Sequence, residues 1–264
     1  MPDEKLTLRY TRQTPKAYVI RSDDEAIAIA HEIAAVLQPD AAQRDRSGSV
    51  PPEIIDTYSN SGLWGITVPR QWGGAEVSAA TLAQVIAIIS AADPSLGQIP
   101  QNHYCLLEDI RLQGSEAQQA FFFAQVLKGY RFANALSETG GKTVLDIRTR
   151  LEASDRGLRI TGRKGYCTGS LYAHWIGILA LDAENNAQLA FVPRESAGLT
   201  VIDDWACLGT SAPPPAGRSW RRIWYRRAFP PVPDVEILRD ANPCRAVCPA
   251  HHRRHRSGDR PRGA

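Results

Sequence analysis

The pattern of apolar residues changes its period once along this chain, near Arg131, and that change limits what the chain can fold into. Before it, apolar residues recur every three or four positions in segments bounded by capping residues, glycine and proline, which is typical of helices. After it, short β-rich runs are separated by Gly, Asn and Pro turns, which is typical of strands. The sequence therefore predicts an α+β protein.

Five helices are predicted before the change of period. Asp23 or Asp24 is expected to cap the first, and Ser115 followed by Gln118 predicts a capping box on the last. The third is apolar nearly all round and is predicted to be buried. The five segments are SDDEAIAIAHEIAAVLQ, PPEIIDTYSNSGLWG, SAATLAQVIAIISAAD, QNHYCLLEDIRLQG and SEAQQAFFFAQVLKG.

The β-rich part contains several short runs without intervening helices, which favours a small sheet or barrel. Residues 175–181 and 189–192 flank the turn Glu184-Asn185-Asn186 and predict a hairpin. The runs are LRITGRKGYCTGS, HWIGILALDAENNAQLAFVPRE and GLTVID.

Charge and proline content divide the 264-residue chain again, near residue 210. The net charge is +3, but residues 210–264 carry twelve Arg, no Lys and four acidic residues. Taking these from 31 basic and 28 acidic residues leaves 19 and 24 in the first 209. We therefore predict four parts, ordered along the chain. They are an N-terminal extension (1–22), a helical domain (23–130), an incomplete middle β domain (131–209) and an aberrant Arg/Pro-rich tail (210–264).

Sparse cysteines and the absence of a secretory segment at the N-terminus predict a cytoplasmic protein. No apolar run approaches the roughly 18 residues needed to span a bilayer, so no membrane partner is expected.

Five collinear segments resemble the acyl-CoA dehydrogenase superfamily, and within it the flavin-dependent monooxygenase branch. The nearest resemblance is to sulfur-acquisition oxidoreductases related to dibenzothiophene monooxygenase, and it runs from about residue 24 to residue 204. It implies an N-terminal helical domain, a middle β-barrel and a C-terminal four-helix bundle, with flavin between barrel and bundle in a tetramer. The segments are SGLWGITVPRQWGG, ISAADPSLGQIPQNH, RFANALSETGGKTV, GRKGYCTGSLYAHWI and FVPRESAGLTVIDDW.

The resemblance implies two flavin-binding segments. The residues alone leave another interpretation open for each segment. Residues 134–140 could be a domain-entry loop in which Ser137 caps a turn, and residues 166–170 could be a strand that runs into a turn. Glycine in the second would allow the backbone to approach a cofactor closely. The implied cofactor-binding residues are Asn134, Ala135, Leu136, Ser137, Tyr166, Cys167, Thr168 and Gly169. Cys167 also fits a small buried apolar residue, since no group near it in sequence would activate it.

His103 is the acid–base candidate, because histidine titrates near working pH. The resemblance places it in the wall that faces flavin and substrate, with Asn102 and Tyr104 as substrate-binding neighbours and Ser137 as a second catalytic residue. A lone histidine on an apolar helix is also commonly a core residue, and both interpretations stay open.

The resemblance implies a flavin-dependent oxidoreductase, most directly a monooxygenase that uses reduced FMN (or FAD) and oxygen on a small organosulfur compound. A separate flavin reductase would supply the reduced flavin. The first alternative is an FAD-dependent acyl-CoA dehydrogenase, whose carboxylate base lies in the bundle and has no replacement before residue 210. The second is a non-enzymatic binding protein with a metal- or nucleic-acid-binding tail.

The tail contains Cys244, Cys248, His251, His252 and His255 among arginines. These spacings do not match paired zinc-ligand loops, and basic nucleic-acid tails usually also contain lysine. We therefore predict no metal site and no nucleic-acid partner.

A frameshift explains the composition of the tail better than a zinc site or a nucleic-acid-binding segment does. Read one base upstream, codons for APPPAGRSW can spell RTTASGTVV, a run expected at this point in the family. Read one base downstream, RRHRSGDRPRG can spell AAIDPAIARG, which resembles the first helix of the bundle. The expected consequence is a missing bundle, exposed apolar faces and impaired activity.

Overall fold

The computed structural model describes residues 15–48, 50–139, 143, 146–154, 157–203, 222–225 and 236–238. Within these residues, seven α-helices precede eight β-strands. The helices are α1 Asp23–Leu37, α2 Ala41–Ser47, α3 Pro52–Asn60, α4 Ala79–Ala92, α5 Pro94–Gln98, α6 Gln101–Gln113 and α7 Glu116–Leu127. None of the helices in these ranges combines the length and apolar character needed to cross a membrane.

The five predicted helices correspond to α1, α3, α4, α6 and α7, and the capping box of α7 is confirmed. The predicted cap of α1 was wrong by one residue, because the Ser22 hydroxyl accepts the hydrogen bond from the Glu25 amide. The short helices α2 and α5 were missed, since seven and five residues are too few to establish a hydrophobic period.

The helical part is held by an apolar core and by one buried ion pair. Small residues on α1, among them Ala26 and Ala30, are fully buried and allow α1 and α4 to pack closely. Arg44 on α2 donates from Nε to Oδ2 of Asp93 over 2.9 Å, and Asp93 in turn caps α5. Both partners are buried, so this pair fixes the end of α4 against α2.

The eight strands form one mixed sheet in the order β6-β7-β3-β2-β4-β5-β8, with β1 beside β4. Strands β1 and β4 run parallel, whereas β4 and β5 form the predicted antiparallel hairpin. The strands are β1 Phe132–Ala135, β2 Arg150–Ser154, β3 Gly157–Lys164, β4 Trp175–Leu181, β5 Ala187–Pro193, β6 Leu199–Ile202, β7 Arg222–Tyr225 and β8 Glu236–Leu238. Closure of this sheet into a barrel stays a prediction.

Strands β7 and β8 come from the segment that the sequence assigned to the aberrant tail. Backbone pairing of β7 with β3 and β6, and of β8 with β5, extends the sheet past the predicted boundary at residue 209. The other tail residues, including the Cys and His residues considered as metal ligands, lie outside the described residues. The predictions of a frameshift and a missing bundle therefore stay predictions.

Aromatic side chains join the helical part to the sheet. Phe122 on α7 lies 4.8 Å from Phe191 and 5.5 Å from Trp175, measured between ring centroids. Arg131 adds a polar link, since its guanidinium donates to Asp56 Oδ1 over 2.7 Å and to the Tyr172 carbonyl over 2.7 Å. The start of α6 lies beside the start of β1, where the Phe132 amide donates to His103 Nδ1, and β1 leads into the first predicted flavin segment.

Candidate functional site

The first predicted segment lies where β1 ends. Asn134 is the third residue of β1 and pairs in register with Gly177 of β4. Its side chain is 6% exposed, and its Oδ1 has no hydrogen-bond partner. Ala135 is fully buried, whereas Leu136 and Ser137 are half-buried as the chain leaves the sheet.

The second predicted segment follows β3 and lies against the first. Gly169 has a φ of +78°, and a Cβ at this position would lie 3.5 Å from the Ile99 carbonyl oxygen and 3.7 Å from Ala133 Cβ. The segment thus contacts both β1 and the end of α5. Tyr166 has a φ of +56°, which is uncommon for a bulky residue, and its side chain is 47% exposed.

Each of these two segments has buried polar side-chain atoms without a hydrogen-bond partner. Thr168 and Ser170 are both fully buried, yet neither hydroxyl has a hydrogen-bond partner, and Asn134 Oδ1 shares that property. Buried polar groups are nearly always hydrogen-bonded, so these three point to a partner that is not part of the chain. Cys167 is also fully buried and packs in the apolar core of the sheet.

A buried ion pair that sequence reasoning missed holds the first segment in place. Lys164, the last residue of β3, is fully buried and donates from Nζ to Oε1 of Glu138 over 2.7 Å and to the Leu136 carbonyl over 3.1 Å. The next amide, that of Gly165, donates to the Ser137 carbonyl over 2.9 Å. A lysine in a β-run is usually solvated, so only its position beside GYCTGS could have indicated a different role.

Glu138 is anchored from its other side as well. Oε1 accepts hydrogen bonds from the amide and hydroxyl of Thr149, and Oε2 accepts one from the Arg148 amide. Burial alone would raise the pKa of Glu138, but hydrogen bonds from Lys164 and Thr149 outweigh it and hold the pKa below its usual value. Burial also lowers the pKa of Lys164, and the attraction of Glu138 opposes that shift.

His103 lies inside the protein with both ring nitrogens in use. Its Nε2 is 2.8 Å from the Trp64 carbonyl oxygen, and its Nδ1 accepts a hydrogen bond from the Phe132 amide over 3.1 Å. The carbonyl requires a proton on Nε2 and the amide requires none on Nδ1, so the ring is neutral. Burial lowers its pKa to about 4. This geometry favours the core alternative that the sequence left open.

The two predicted neighbours of His103 differ in exposure. Tyr104 is buried, and its hydroxyl donates to the Leu63 carbonyl over 2.8 Å, so this hydrogen bond would have to break before the hydroxyl could donate to a substrate. Asn102, in the first turn of α6, is half-buried. It lies three residues after Ile99, whose carbonyl oxygen faces Gly169 of the second segment.

No group of three or more His, Cys, Asp or Glu side chains is arranged to hold a metal ion within the part of the chain that the structure describes. The polar side-chain atoms that the two segments leave without a partner are one amide oxygen and two hydroxyls. Such a set suits a hydrogen-bonding organic ligand.

Residues 26–130 match the acyl-CoA dehydrogenase N-terminal domain. The helical part of the chain is thus similar to the N-terminal domain of acyl-CoA dehydrogenases, and the fold is acyl-CoA dehydrogenase-like. The α-helices up to α7 form the matched domain of this acyl-CoA dehydrogenase-like chain, and the sheet that carries both predicted flavin segments follows it.

Relatives of this acyl-CoA dehydrogenase-like chain include the dibenzothiophene monooxygenase of Rhodococcus erythropolis, 28% identical over 194 residues that cover 71% of this chain and 46% of the relative. A protein of Pseudomonas putida named "Probable FMNH2-dependent monooxygenase SfnC" is 26% identical over 201 residues, 75% of this chain and 49% of the relative. The FMN-bound crystal structure of TdsC from Paenibacillus sp. A11-2 superposes with a TM-score of 0.71 at 28% identity, covering 81% of this chain and 53% of TdsC. The chain spans about half the length of these relatives.

Proposed function

We propose that this chain is a flavin-dependent monooxygenase that uses reduced FMN and oxygen to oxygenate a small organosulfur compound. The observation that carries the proposal is the trio of buried, unpartnered polar atoms on Asn134, Thr168 and Ser170. They lie on the two segments for which the sequence predicted flavin contacts. The similarity to an FMN-bound structure and to monooxygenases of organosulfur compounds supports the same reading.

The residues at the site fit a flavin. An isoalloxazine ring offers carbonyl oxygens and ring nitrogens on one edge and apolar surface on its faces. The Thr168 hydroxyl and the Asn134 amide would complete their hydrogen bonds with the polar edge, and backbone groups of Leu136 and Ser137 would contribute more. The exposed ring of Tyr166 would cover apolar surface. Reduced flavin, when bound, supplies the electrons that activate molecular oxygen.

The chain's own contribution is to bind, orient and exclude water. Asn134, Thr168 and Ser170 are inaccessible to solvent or nearly so, which keeps the polar edge of the site dry. We propose a structural role for His103 in place of the predicted acid–base role, because both ring nitrogens are hydrogen-bonded to backbone groups and the ring is neutral at working pH. Ser137, half-buried at the end of the first segment, is the hydroxyl we propose as hydrogen-bond donor to the reacting groups.

Several finer properties belong to the same proposal. Reduced FMN would come from a separate flavin reductase, as the named FMNH2 dependence of one relative suggests. We propose a homo-oligomer, tetrameric as implied by the family resemblance, and a cytoplasmic location. Cys105 and Cys167, the cysteines in the described ranges, are not joined to each other, which fits a reducing compartment.

The test uses the 264-residue chain with anaerobically reduced FMN. We expect reduced FMN to bind weakly and, after oxygen is admitted, a sulfoxide or sulfone to form slowly from dibenzothiophene or a smaller organic sulfide, because the predicted loss of the bundle would impair the activity. Oxygen consumption without sulfur oxygenation would contradict the proposed substrate class. Bleaching of bound FAD by an acyl-CoA, with no response to reduced FMN, would instead support an acyl-CoA dehydrogenase.

A further inference from the structure

We propose that the buried Lys164–Glu138 pair is a positioning device that fixes the flavin-facing backbone, an inference that rests on the proposed function. Lys164 and Glu138 are positioning residues, since neither is placed against a reacting atom. What they hold is the carbonyl of Leu136 and, through the neighbouring peptide, that of Ser137.

The contacts of the pair join three separate stretches of chain. Lys164 donates to the Leu136 carbonyl and to Glu138, so the end of β3 is tied to the loop after β1. Glu138 accepts from the amides of Arg148 and Thr149, so the approach to β2 is tied to the same loop. Five hydrogen bonds therefore meet at one carboxylate and one ammonium. Glu138 lies four residues after Asn134, and Lys164 lies four residues before Thr168.

Stability alone does not require such a pair. Replacing a buried ion pair by apolar residues of similar volume is often neutral or stabilising, whereas removing one partner leaves a buried charge uncompensated. An apolar pair at 138 and 164 could fill the same space, but it could not hold the Leu136 carbonyl or the amides at 148 and 149. The property specific to the charges is thus the fixed direction of these backbone groups.

The Arg44–Asp93 pair offers a matched comparison within the same chain. It is equally well buried, with side-chain exposures of 6% and 4%, and it also combines a cation with a carboxylate that caps backbone. Its contacts, however, connect α2 with the start of α5 and with the Leu37 carbonyl, and none reaches the two flavin segments. A change there should lower stability without a specific effect on flavin.

The experiment compares Lys164→Met, the double variant Glu138→Gln/Lys164→Met and Arg44→Met with the unchanged full chain. Three quantities are measured: the melting temperature, amide hydrogen exchange at Gly165 without ligand, and the Kd for reduced FMN under anaerobic conditions. Gly165 reports directly on the loop, because its amide donates to the Ser137 carbonyl.

We expect exchange at Gly165 to be at least tenfold faster in both site variants, and the Kd for reduced FMN to rise at least tenfold. The double variant should regain most of the melting temperature lost in Lys164→Met, because it leaves no unpaired charge, yet it should not regain FMN affinity. Arg44→Met should melt earlier with unchanged Kd and unchanged Gly165 exchange at temperatures where it stays folded.

If FMN affinity returns together with melting temperature in the double variant, the pair serves stability alone and the inference is overturned. Unchanged exchange at Gly165 overturns it as well. If the unchanged chain binds no reduced FMN, the proposed function fails, and the exchange data then decide separately whether the pair fixes the loop.

Discussion

The start of α6 and the meeting point of β1 with the Tyr166–Ser170 turn were both predicted to face flavin, but they differ in how their polar atoms are used. On α6, the side chains of His103 and Tyr104 form hydrogen bonds with backbone groups outside the helix. At the sheet, Asn134 Oδ1 and the Thr168 hydroxyl are buried and have no partner. The polar atoms of the first region therefore stabilise the fold, whereas those of the second are the ones that we propose bind the ligand.

An unpartnered buried atom does not by itself mark a ligand site. The Tyr58 hydroxyl is also buried without a partner, yet it lies in the core of the helical part, against Trp64. What separates Thr168 from Tyr58 is its position beside the exposed Tyr166, on the segment that borders β1. A candidate ligand-binding atom is therefore recognised by three properties together: burial, lack of a hydrogen-bond partner and a position next to an exposed residue. Variants can test this distinction.

The largest effect is expected from His103→Ala. Removal of the ring leaves the Trp64 carbonyl and the Phe132 amide buried without partners and opens a cavity, which should cost about 4 kcal/mol. We expect a fall in melting temperature of about 10 °C. His31→Ala, on the exposed side of α1, is the control and should melt as the unchanged chain does. A variant that melts normally but loses activity would return His103 to the acid–base role.

The pH dependence of stability tests the same histidine. The unfolded chain protonates His103 near its ordinary pKa of 6.5, whereas burial in the folded protein delays protonation to about pH 4. The stability that this group contributes is thus fully present above pH 6.5 and is lost as the pH falls towards 4, by about 3 kcal/mol in all. Urea denaturation between pH 7.5 and 4 should give a shallower dependence in His103→Gln. Equal slopes would contradict the buried neutral ring.

Thr168→Val tests the second region, where the buried hydroxyl has no partner. The methyl group replaces a hydroxyl that has no partner, so the free energy of unfolding should change by less than about 1 kcal/mol. Affinity for reduced FMN should fall about tenfold, the worth of one hydrogen bond. Tyr58→Phe is the matched control: it also removes an unpartnered buried hydroxyl, and FMN affinity should not change. Equal effects of both variants on FMN would remove the distinction between the two regions.

Much of the fold was predictable because local patterns agree with it. The five long helices have their own period and caps, and the β4–β5 hairpin has alternating β-rich runs around an Asn-rich turn. Strand order was not predictable, because the parallel pairing of β1 with β4 joins residues some 43 positions apart and depends on packing across Phe132 and Trp175. The short strands β7 and β8 were hidden by the arginine and proline content of their surroundings.

The site was predictable only as segments. Motif resemblance predicts that the segments around Asn134 and Thr168 bind flavin, but it does not indicate which of their atoms lack hydrogen-bond partners, since that depends on neighbours distant in sequence. The same limit applies to His103, whose partners Trp64 and Phe132 lie on other elements. Lys164 was missed because its carboxylate partner, Glu138, is 26 residues away.

The smallest effect is expected from a change at Asp109, which tests whether a buried polar group on α6 has a stabilising partner. Unlike His103 on the same helix, Asp109 is buried without a hydrogen bond to any residue in the described ranges, and burial with the nearby charge of Glu108 raises its pKa to about 6. The contribution of this group to stability is therefore lost as the pH rises from about 4 through 6, opposite in sign to that of His103. Asp109→Asn should raise the free energy of unfolding at pH 7.5 by about 1 kcal/mol and leave it nearly unchanged at pH 4. A loss of stability at pH 7.5 would mean that the Asp109 carboxylate has a stabilising partner.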